Sequence, residues 1–327
     1  MSFSLAAAGW ILIYSLAGPM IIFLNSYTVN KGGFPFPVTF SALGIWGSAV
    51  IGQIAVHMGF WTVKKTFTVS EYCRVVLPNA FLSCLTIALG NSVYAYQSVA
   101  FTQMLKSLTP VYLVLAMAML GVKVPSMSAI LGVLVIVVGT AIASLGELRF
   151  SVTGFALQTV ADISEGTRLV LLQLLMSKEK LTPFETIYYL FPATGLFQLL
   201  IALQFETAAF TNPVYLTMYF TKWYLFIAGI VLGFIINFTG NNVVSHTSGL
   251  TFKLIGIVRN NLLVVAAVCF FGDVTTGLQI AGYVISVAGF LWYSKVEVEA
   301  ANQANYDKIQ TSPNSPAEQL QLIKAPI

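Results

Sequence analysis

Ten long apolar runs follow one another along the chain, and they restrict its fold more than any other feature. They fall at residues 5–25, 37–59, 74–97, 99–121, 125–146, 151–176, 183–205, 217–244, 247–271 and 274–294. A helix of about 20 apolar residues crosses the hydrocarbon core of a bilayer, and it satisfies its own backbone hydrogen bonds there. Only 9% of the residues are charged, against about 25% in a soluble domain. The sequence therefore predicts an all-α polytopic membrane protein with ten transmembrane helices.

Several functional classes are disfavoured by the same sequence. Its 3 cysteines are an odd number and form no disulfide framework. With 2 histidines and no cluster of ligand residues, we predict no metal site and no cofactor. No nucleophile–base pair is apparent, so we predict that the protein is not an enzyme. The net charge of +4 is interpreted as a signal of membrane topology and not as a nucleic-acid-binding surface.

Lysine and arginine between the runs predict the orientation of the chain. One side has Lys64, Lys65, Arg74, Lys123, Lys178, Lys180, Lys295, Lys308 and Lys324, and the other has Lys31, Arg149 and Lys222. Cytoplasmic loops carry an excess of these residues, so we expect both termini in the cytosol. From residue 297 the chain turns polar, which predicts a disordered cytosolic tail over 297–327. No cleavable signal or transit segment precedes the first run, which favours the Golgi or ER membrane over a plastid.

An internal repeat is visible at an offset of 150 residues. Gly90-Asn91 matches Gly240-Asn241, Gly132 matches Gly282, and Gly139 matches Gly289. The alternative is coincidence, since glycine is common in membrane helices. The repeat divides the chain into residues 1–146 and 147–296, each with five helices, and an odd number inverts the second copy. Inverted repeats are typical of alternating-access transporters, which bind their solute near the midplane where the halves meet.

Charged residues inside the runs are the candidate site, because each costs about 3 kcal/mol or more at that depth. The cations inside the runs are Arg168 in the sixth run, Lys106 in the fourth, and Lys253 and Arg259 in the ninth. Lys106 and Arg259 lie within three residues of repeat equivalence, so they could face one cavity from opposite halves and bind a phosphate group. Lys253 and Lys106 could instead extend to the membrane interface.

The sixth run carries acidic residues as well. Glu165 and Arg168 are three residues apart and can pair on one helix face, which predicts a structural ion pair. The alternative is that Asp162 or Glu165 binds a proton, as a proton-coupled exporter of cationic or neutral metabolites requires. That alternative places the carboxylate unpaired in the cavity and Lys106 away from it.

Uncharged polar residues near these positions could hold the rest of a solute. We name Gln103, Asn237, Asn241 and Asn260 as candidate ligands. Tyr188 and Tyr189 could stack on a base or sugar, or they could belong to an interfacial aromatic belt.

Three segments resemble the triose-phosphate/nucleotide-sugar translocator family of the drug/metabolite transporter superfamily. Two of them are Ser98–Pro110 in the fourth run and Glu165–Gln173 in the sixth, and the third comprises the last two runs, with Ser248–Phe252 and Ala281–Ser294. The closest likeness is to probable sugar-phosphate/phosphate translocators, and it covers residues 5–295.

The resemblance implies a ten-helix inverted-repeat fold and an antiporter of phosphorylated solutes. A sugar phosphate would exchange for phosphate, or a nucleotide sugar for a nucleoside monophosphate. The family's fourth-helix lysine corresponds to Lys106, and its ninth-helix Lys-Arg pair falls on Arg259-Asn260, so the second cation is replaced by Asn260. The expected partners are these small molecules and the lipid bilayer, for a monomer or a homodimer. A membrane scaffold or sensor with the same fold is a further alternative.

Overall fold

A computed structural model describes residues 5–122, 124–148, 150–246, 255–256 and 275–311. Within these residues the secondary structure is all α, with nine long helices. They are α1 (Leu5–Asn30), α2 (Pro37–His57), α3 (Val69–Ala95), α4 (Val99–Met119), α5 (Met127–Leu145), α6 (Val152–Lys178), α7 (Pro183–Phe205), α8 (Trp223–His246) and α9 (Gly277–Thr311). Two short helices, Ala208–Thr211 and Pro213–Thr221, connect α7 to α8.

Eight helices in the described part of the chain are long and apolar enough to cross a bilayer. The remaining long helix, α6, has 27 residues but carries Asp162, Glu165, Arg168 and Lys178. These helices confirm the all-α polytopic membrane protein. The ninth predicted run, 247–271, lies outside the described residues except for 255–256, so the number ten stays a prediction.

Helix α4 is not continuous, because a 3₁₀ turn interrupts it at Lys106–Leu108. A regular helix resumes at Thr109 with Pro110 in its first turn. Proline has no N–H and disfavours the helical conformation of the residue before it, which explains a break at this point. The break lies in the interior of the spanning segment, where a change of backbone direction can turn side chains toward a cavity.

Glycine lets α5 and α9 pack backbone to backbone along their length. Gly132 contacts Tyr293 and Gly139 contacts Ser286, so the two helices run antiparallel. A Cβ at Gly139 would lie 2.3 Å from the Ser286 amide nitrogen, and one at Gly282 would lie 2.6 Å from the Gly139 carbonyl oxygen. Small residues at such contacts maximise van der Waals packing between helices in lipid. All four glycines of the predicted repeat in these helices therefore lie at one interface or beside it.

The other helix contacts also relate the first five runs to the later ones. Helix α2 packs against α7, as α5 packs against α9. Helix α8 packs against both α1 and α2. Helix α3 packs against both α6 and α7. The predicted repeat makes α1 equivalent to α6, α2 to α7, α3 to α8 and α5 to α9. When every helix is replaced by its equivalent, the same set of pairings results.

Polar contacts join the predicted halves at the end of the molecule that carries the α1–α2 loop. The Glu206 carboxylate accepts hydrogen bonds from the backbone N–H groups of Val38 (3.0 Å) and Thr39 (2.7 Å) at the start of α2. Lys222 Nζ donates to the Gly32 carbonyl at 2.7 Å. Phe34 is buried beside this contact, among aromatic rings of both halves.

A second set of contacts joins the halves at the opposite end. Glu185 accepts hydrogen bonds from the backbone N–H groups of Lys64 (2.7 Å) and Lys65 (2.9 Å) in the α2–α3 loop. Lys65 Nζ also pairs with Glu179 at 2.7 Å. This hydrogen bond to Glu179 raises the pKa of the Lys65 ammonium above its usual value. Each end of the helix bundle thus carries contacts between the α1–α5 segment and the later part of the chain.

Helix α9 continues to Thr311, past residue 297, where we predicted the disordered tail to begin. The segment after Lys295 contains glutamate, alanine and glutamine, which favour helix, and it has no glycine or proline up to Thr311. It also extends a helix that already exists, so no nucleation penalty opposes it. Residues 312–327 lie outside the described part of the chain.

Candidate functional site

A cavity of about 410 Å³ lies in the interior of the bundle. Its walls come from α1, α2, α3, α4, α6, α7, α8 and α9, so both predicted halves contribute. The charged side chains that line it, among the described residues, are Lys106, Asp162, Glu165 and Arg168. The cavity therefore contains most of the charges that the sequence places within spanning segments.

Lys106 lines the cavity from the 3₁₀ turn of α4. Its Nζ donates a hydrogen bond to the Tyr94 hydroxyl oxygen at 3.3 Å and lies 5.7 Å from the centre of the Tyr94 ring. Gln103 Nε2 donates to the same oxygen at 3.0 Å, which fixes the position of the tyrosine. Within the described residues the ammonium makes no other hydrogen bond and no ion pair, so two of its three N–H groups can bind an anion.

Buried hydroxyl groups attach the lysine-bearing turn to the α5–α9 pair. Ser107 Oγ lies 2.8 Å from Ser286 Oγ on α9 and 3.2 Å from Thr140 Oγ1 on α5. The two partner hydroxyls are themselves 3.1 Å apart. All three side chains are buried, so water does not compete for these hydrogen bonds, and they hold the turn in place.

Asp162 lines the cavity from α6 and is 3% exposed. Its Oδ1 accepts hydrogen bonds from Gln158 Nε2 (2.9 Å) and Thr109 Oγ1 (3.2 Å). Its Oδ2 is buried and has no hydrogen-bond partner within the described residues. Asp162 and Lys106 interact electrostatically, yet they form no ion pair in this structure.

Glu165 and Arg168 pair with each other on the wall of the cavity. Arg168 Nε and Nη2 donate to the two carboxylate oxygens of Glu165 at 2.8 and 2.7 Å. Each side chain is 23% exposed. The structure thus brings together the two residues that we predicted as an ion pair. It also places Glu165 against a cation, where the proton-coupled alternative requires an unpaired carboxylate.

Helices α1 and α3 meet beside the cavity through two asparagines. Asn25 Nδ2 donates to Asn91 Oδ1 at 3.3 Å, and both residues line the cavity. We did not predict either as a ligand, although each amide retains polar groups that can bind a solute. Gln158 and Tyr94 were also missed. Gln158 could have been found from sequence, because it lies one helical turn before Asp162.

The remaining predicted ligands are distributed over several places. Asn237 lines the cavity, while its Nδ2 donates to the Gly233 carbonyl at 2.8 Å. Gln103 is buried behind Tyr94 and is not a lining residue. Asn241 is not a lining residue either, and its Nδ2 lies 3.5 Å from the Pro183 carbonyl oxygen.

Tyr188 and Tyr189 lie toward the end of the bundle that carries the α2–α3 loop. Tyr189 donates its hydroxyl to the Lys65 carbonyl and packs edge-on against Phe67. The Tyr188 ring lies edge-on to Tyr189, and neither tyrosine lines the cavity. The structure therefore places both in a loop-packing cluster and not beside Lys106. The three predicted ligands of the ninth run, Lys253, Arg259 and Asn260, lie outside the described residues.

Comparison with known proteins gives concordant matches over most of the chain. The model of the Triose-phosphate Transporter family matches residues 10–294. A probable sugar phosphate/phosphate translocator of Arabidopsis thaliana is 29% identical over 309 residues, covering 92% of this chain and 81% of that protein. A second Arabidopsis protein of the same description is 29% identical over 297 residues, covering 89% and 79%. One crystal structure matches with a TM-score of 0.55 at 16% identity, covering 86% of this chain and 98% of that chain, which shows the fold alone.

Proposed function

Because the chain belongs to the Triose-phosphate Transporter family, we propose that it is a secondary active antiporter of phosphorylated organic anions. It exchanges a sugar phosphate for phosphate, or a nucleotide sugar for a nucleoside monophosphate. The observation that carries the proposal is the position of Lys106, whose ammonium lines an interior cavity and keeps N–H groups for an anion. The names of the Arabidopsis relatives, sugar phosphate/phosphate translocators, agree with this chemistry.

The proposed mechanism is alternating access by two inverted five-helix repeats, residues 1–146 and 147–296. The antiparallel packing of α5 on α9 supports it, because these helices carry the matched glycines and run in opposite directions. The exchange symmetry of the helix pairings supports it as well. Contacts at the two ends of the bundle would then alternate: Glu206 holds one end closed, and Glu185 holds the other.

The repeat also makes a proposal for the predicted ninth helix. In the first half α4 packs against α6, so the equivalent contact would place residues 247–271 against α1. Arg259 would then approach the cavity from the side opposite Lys106 and supply the second phosphate ligand. Asn260 would follow it as a neutral hydrogen-bonding group, and Lys253 would lie nearer the membrane interface.

For location, we propose the Golgi or ER membrane. The distribution of lysine and arginine between the loops supports an orientation with both termini in the cytosol. The protein would act as a monomer or a homodimer. The proton-coupled exporter remains a second candidate, and one observation favours it. Asp162 is a buried carboxylate on the cavity wall, and one of its oxygens has no hydrogen-bond partner among the described residues. Against it, Lys106 lines the same cavity, and Glu165 is held by Arg168.

Proteoliposome exchange tests the proposal directly. Vesicles preloaded with phosphate, UMP or GMP are offered labelled sugar phosphates and nucleotide sugars, with and without an imposed proton gradient. We expect uptake only into vesicles that contain a counter-anion. The alternative predicts uptake that follows the proton gradient without any counter-anion.

A matched pair of lysine variants assigns the activity to the cavity. Lys106→Ala removes a charge-assisted hydrogen bond, which is worth about 1.5–3 kcal/mol, so the apparent affinity for phosphate should fall roughly 10- to 150-fold. Lys106→Arg should restore part of it. Lys295, which is 75% exposed on α9, provides the control, since Lys295→Ala should not change exchange. Wild-type exchange by Lys106→Ala would refute the role of this lysine.

A further inference from the structure

Asp162 has fewer hydrogen-bond donors than an ionised carboxylate can accept. Two oxygens offer about four acceptor sites, but the described residues reach only Oδ1. Thr109 has a single hydroxyl proton to share between two acceptors, because its Oγ1 lies 2.8 Å from the Lys106 carbonyl oxygen and 3.2 Å from Asp162 Oδ1. Among the described residues, the amide of Gln158 is therefore the one donor that Asp162 does not share with another acceptor.

Gln158, one helical turn before Asp162, also has an acceptor oxygen for which the described residues provide no donor. It is 1% exposed, lines the cavity, and donates through Nε2 to Asp162. Its Oε1 is buried and has no partner within the described residues. Adjacent residues of one cavity wall thus each keep an acceptor oxygen in need of a donor. Buried polar atoms in proteins are nearly always paired, so this pair of acceptors indicates a ligand that donates hydrogen bonds.

The two described cations that line the cavity, Lys106 and Arg168, do not donate hydrogen bonds to these oxygens. Lys106 donates to the Tyr94 hydroxyl and forms no ion pair with Asp162. Arg168, one turn and a half along α6, is bound by Glu165 through two hydrogen bonds. Among the described side chains that line the cavity, Asp162 is therefore the carboxylate without a cation in contact.

We propose that Asp162 and Gln158 form a subsite for the hydroxyl groups of the solute, so that the cavity selects phosphorylated polyols over phosphorylated carboxylic acids. This inference rests on the proposed function, in which Lys106 binds the phosphate. A polyol offers O–H donors to both free acceptor oxygens. The two oxygens are buried in this structure, so binding of a polyol includes a rearrangement that exposes them to the cavity.

The same carboxylate excludes a second acidic group. A carboxylate on the solute cannot donate a hydrogen bond to Asp162, and two like charges in contact repel strongly where water is excluded. A site that hydrogen-bonds a hydroxyl also discriminates sharply against an analogue that lacks it. Selectivity between solutes of equal size is thus assigned to one charged residue and its neighbour on α6.

Two compounds with the same carbon skeleton test the inference. Glycerol 3-phosphate carries a terminal CH₂OH where 3-phosphoglycerate carries a carboxylate. Each is measured as the external solute for exchange against internal phosphate in proteoliposomes. We expect wild-type protein to prefer glycerol 3-phosphate by roughly 10- to 100-fold in apparent affinity. Equal affinity of the wild type for both compounds would overturn the inference, without any variant being needed.

Asp162→Asn gives a gain of function that loss of folding cannot imitate. The amide removes the negative charge and supplies an N–H donor, so 3-phosphoglycerate exchange should rise while glycerol 3-phosphate exchange falls. Gln158→Leu should lower exchange of glycerol 3-phosphate without raising that of 3-phosphoglycerate. An unchanged ratio in both variants would overturn the inference.

The proposed function fails under a different result. If Lys106→Ala leaves phosphate–phosphate exchange intact, phosphate is not bound by this lysine, whatever the ratio of the two solutes. If Lys106→Ala abolishes that exchange while the ratio is insensitive to Asp162→Asn, the antiporter stands and the hydroxyl subsite does not.

Discussion

Replacing Gly282 by alanine tests the glycine-packed interface between α5 and α9. The added Cβ would lie 2.3 Å from the Ala143 amide nitrogen and 2.6 Å from the Gly139 carbonyl oxygen. Both atoms belong to the backbone and cannot rotate away. Ordinary contact begins near 3.4 Å, so the helices must separate by about 1 Å.

The size of the effect follows from two opposing contributions. A gap of about 0.5–1 Å removes a quarter to a half of the van der Waals attraction across the interface, and overpacking typically costs about 1–3 kcal/mol. We take the upper end, because the obstruction is backbone. Alanine also favours helix over glycine by about 1 kcal/mol. The expected net loss in the free energy of unfolding is therefore about 2 kcal/mol.

Gly277→Ala on the same helix is the matched control. Nothing lies within 4 Å of its Cβ position. Gly277 is also the first residue of α9, where the preference of a helix interior for alanine does not apply in full, so the free energy of unfolding should change by less than about 0.5 kcal/mol. Both variants are compared with the wild type by SDS titration in mixed micelles, followed by tryptophan fluorescence. If Gly282→Ala is as stable as Gly277→Ala, the close packing of these helices is refuted.

Three further predictions concern other contacts. Glu206→Gln weakens the charged cap at the start of α2 and should lower the free energy of unfolding by about 1–2 kcal/mol in the same titration. Glu165→Gln and Arg168→Gln should each destabilise the protein, whereas the double variant should cost about 1–2 kcal/mol less than their sum, because neither charge is left alone. An impermeant maleimide should label the exposed Cys73 and not the buried Cys84, and, with the predicted orientation, only from the cytosolic face.

Each of these has a result that contradicts it. Glu299→Gln, at an exposed ion pair of 3.9 Å, should leave stability unchanged, and an equal loss in this variant would remove the argument for the cap. Additive costs at Glu165 and Arg168 would mean that the pair does not stabilise the fold. Labelling is done with Cys269 replaced by serine, and labelling of Cys73 from the lumenal face would reverse the predicted orientation.

Most of the helical framework could be predicted because long apolar runs and their end signals are local. Helix α7 has the predicted bounds, and its start is fixed by the capping box that Thr182 and Glu185 form around Pro183. Helix α3 begins at Val69, five residues before the predicted run, because Thr68 and Glu71 form the same motif. The apolar pattern alone placed that start too late, although the capping residues were present in the sequence.

Among the residues that line the cavity, the sequence identified those whose charge costs free energy in the lipid bilayer. Lys106 and Asp162 stand out as charges within apolar runs, and both line the cavity. Tyr94 is neutral, and it reaches Lys106 across the break between α3 and α4, a contact that no helical spacing predicts. Tyr188 was selected by side-chain chemistry alone, and its packing beside the α2–α3 loop depends on tertiary contacts that sequence does not reveal.

The bonds from Ser107 to Thr140 and Ser286 have a mechanical consequence. They fasten the lysine-bearing turn to two helices whose backbones touch, and such a pair resists sliding or separation. We therefore expect the α5–α9 pair to stay fixed during transport, while the helices on the far side of the cavity tilt relative to it. The phosphate would stay at nearly the same depth throughout a turnover. The contacts at the two ends of the bundle would then open and close in turn, while the bound solute itself would hardly move.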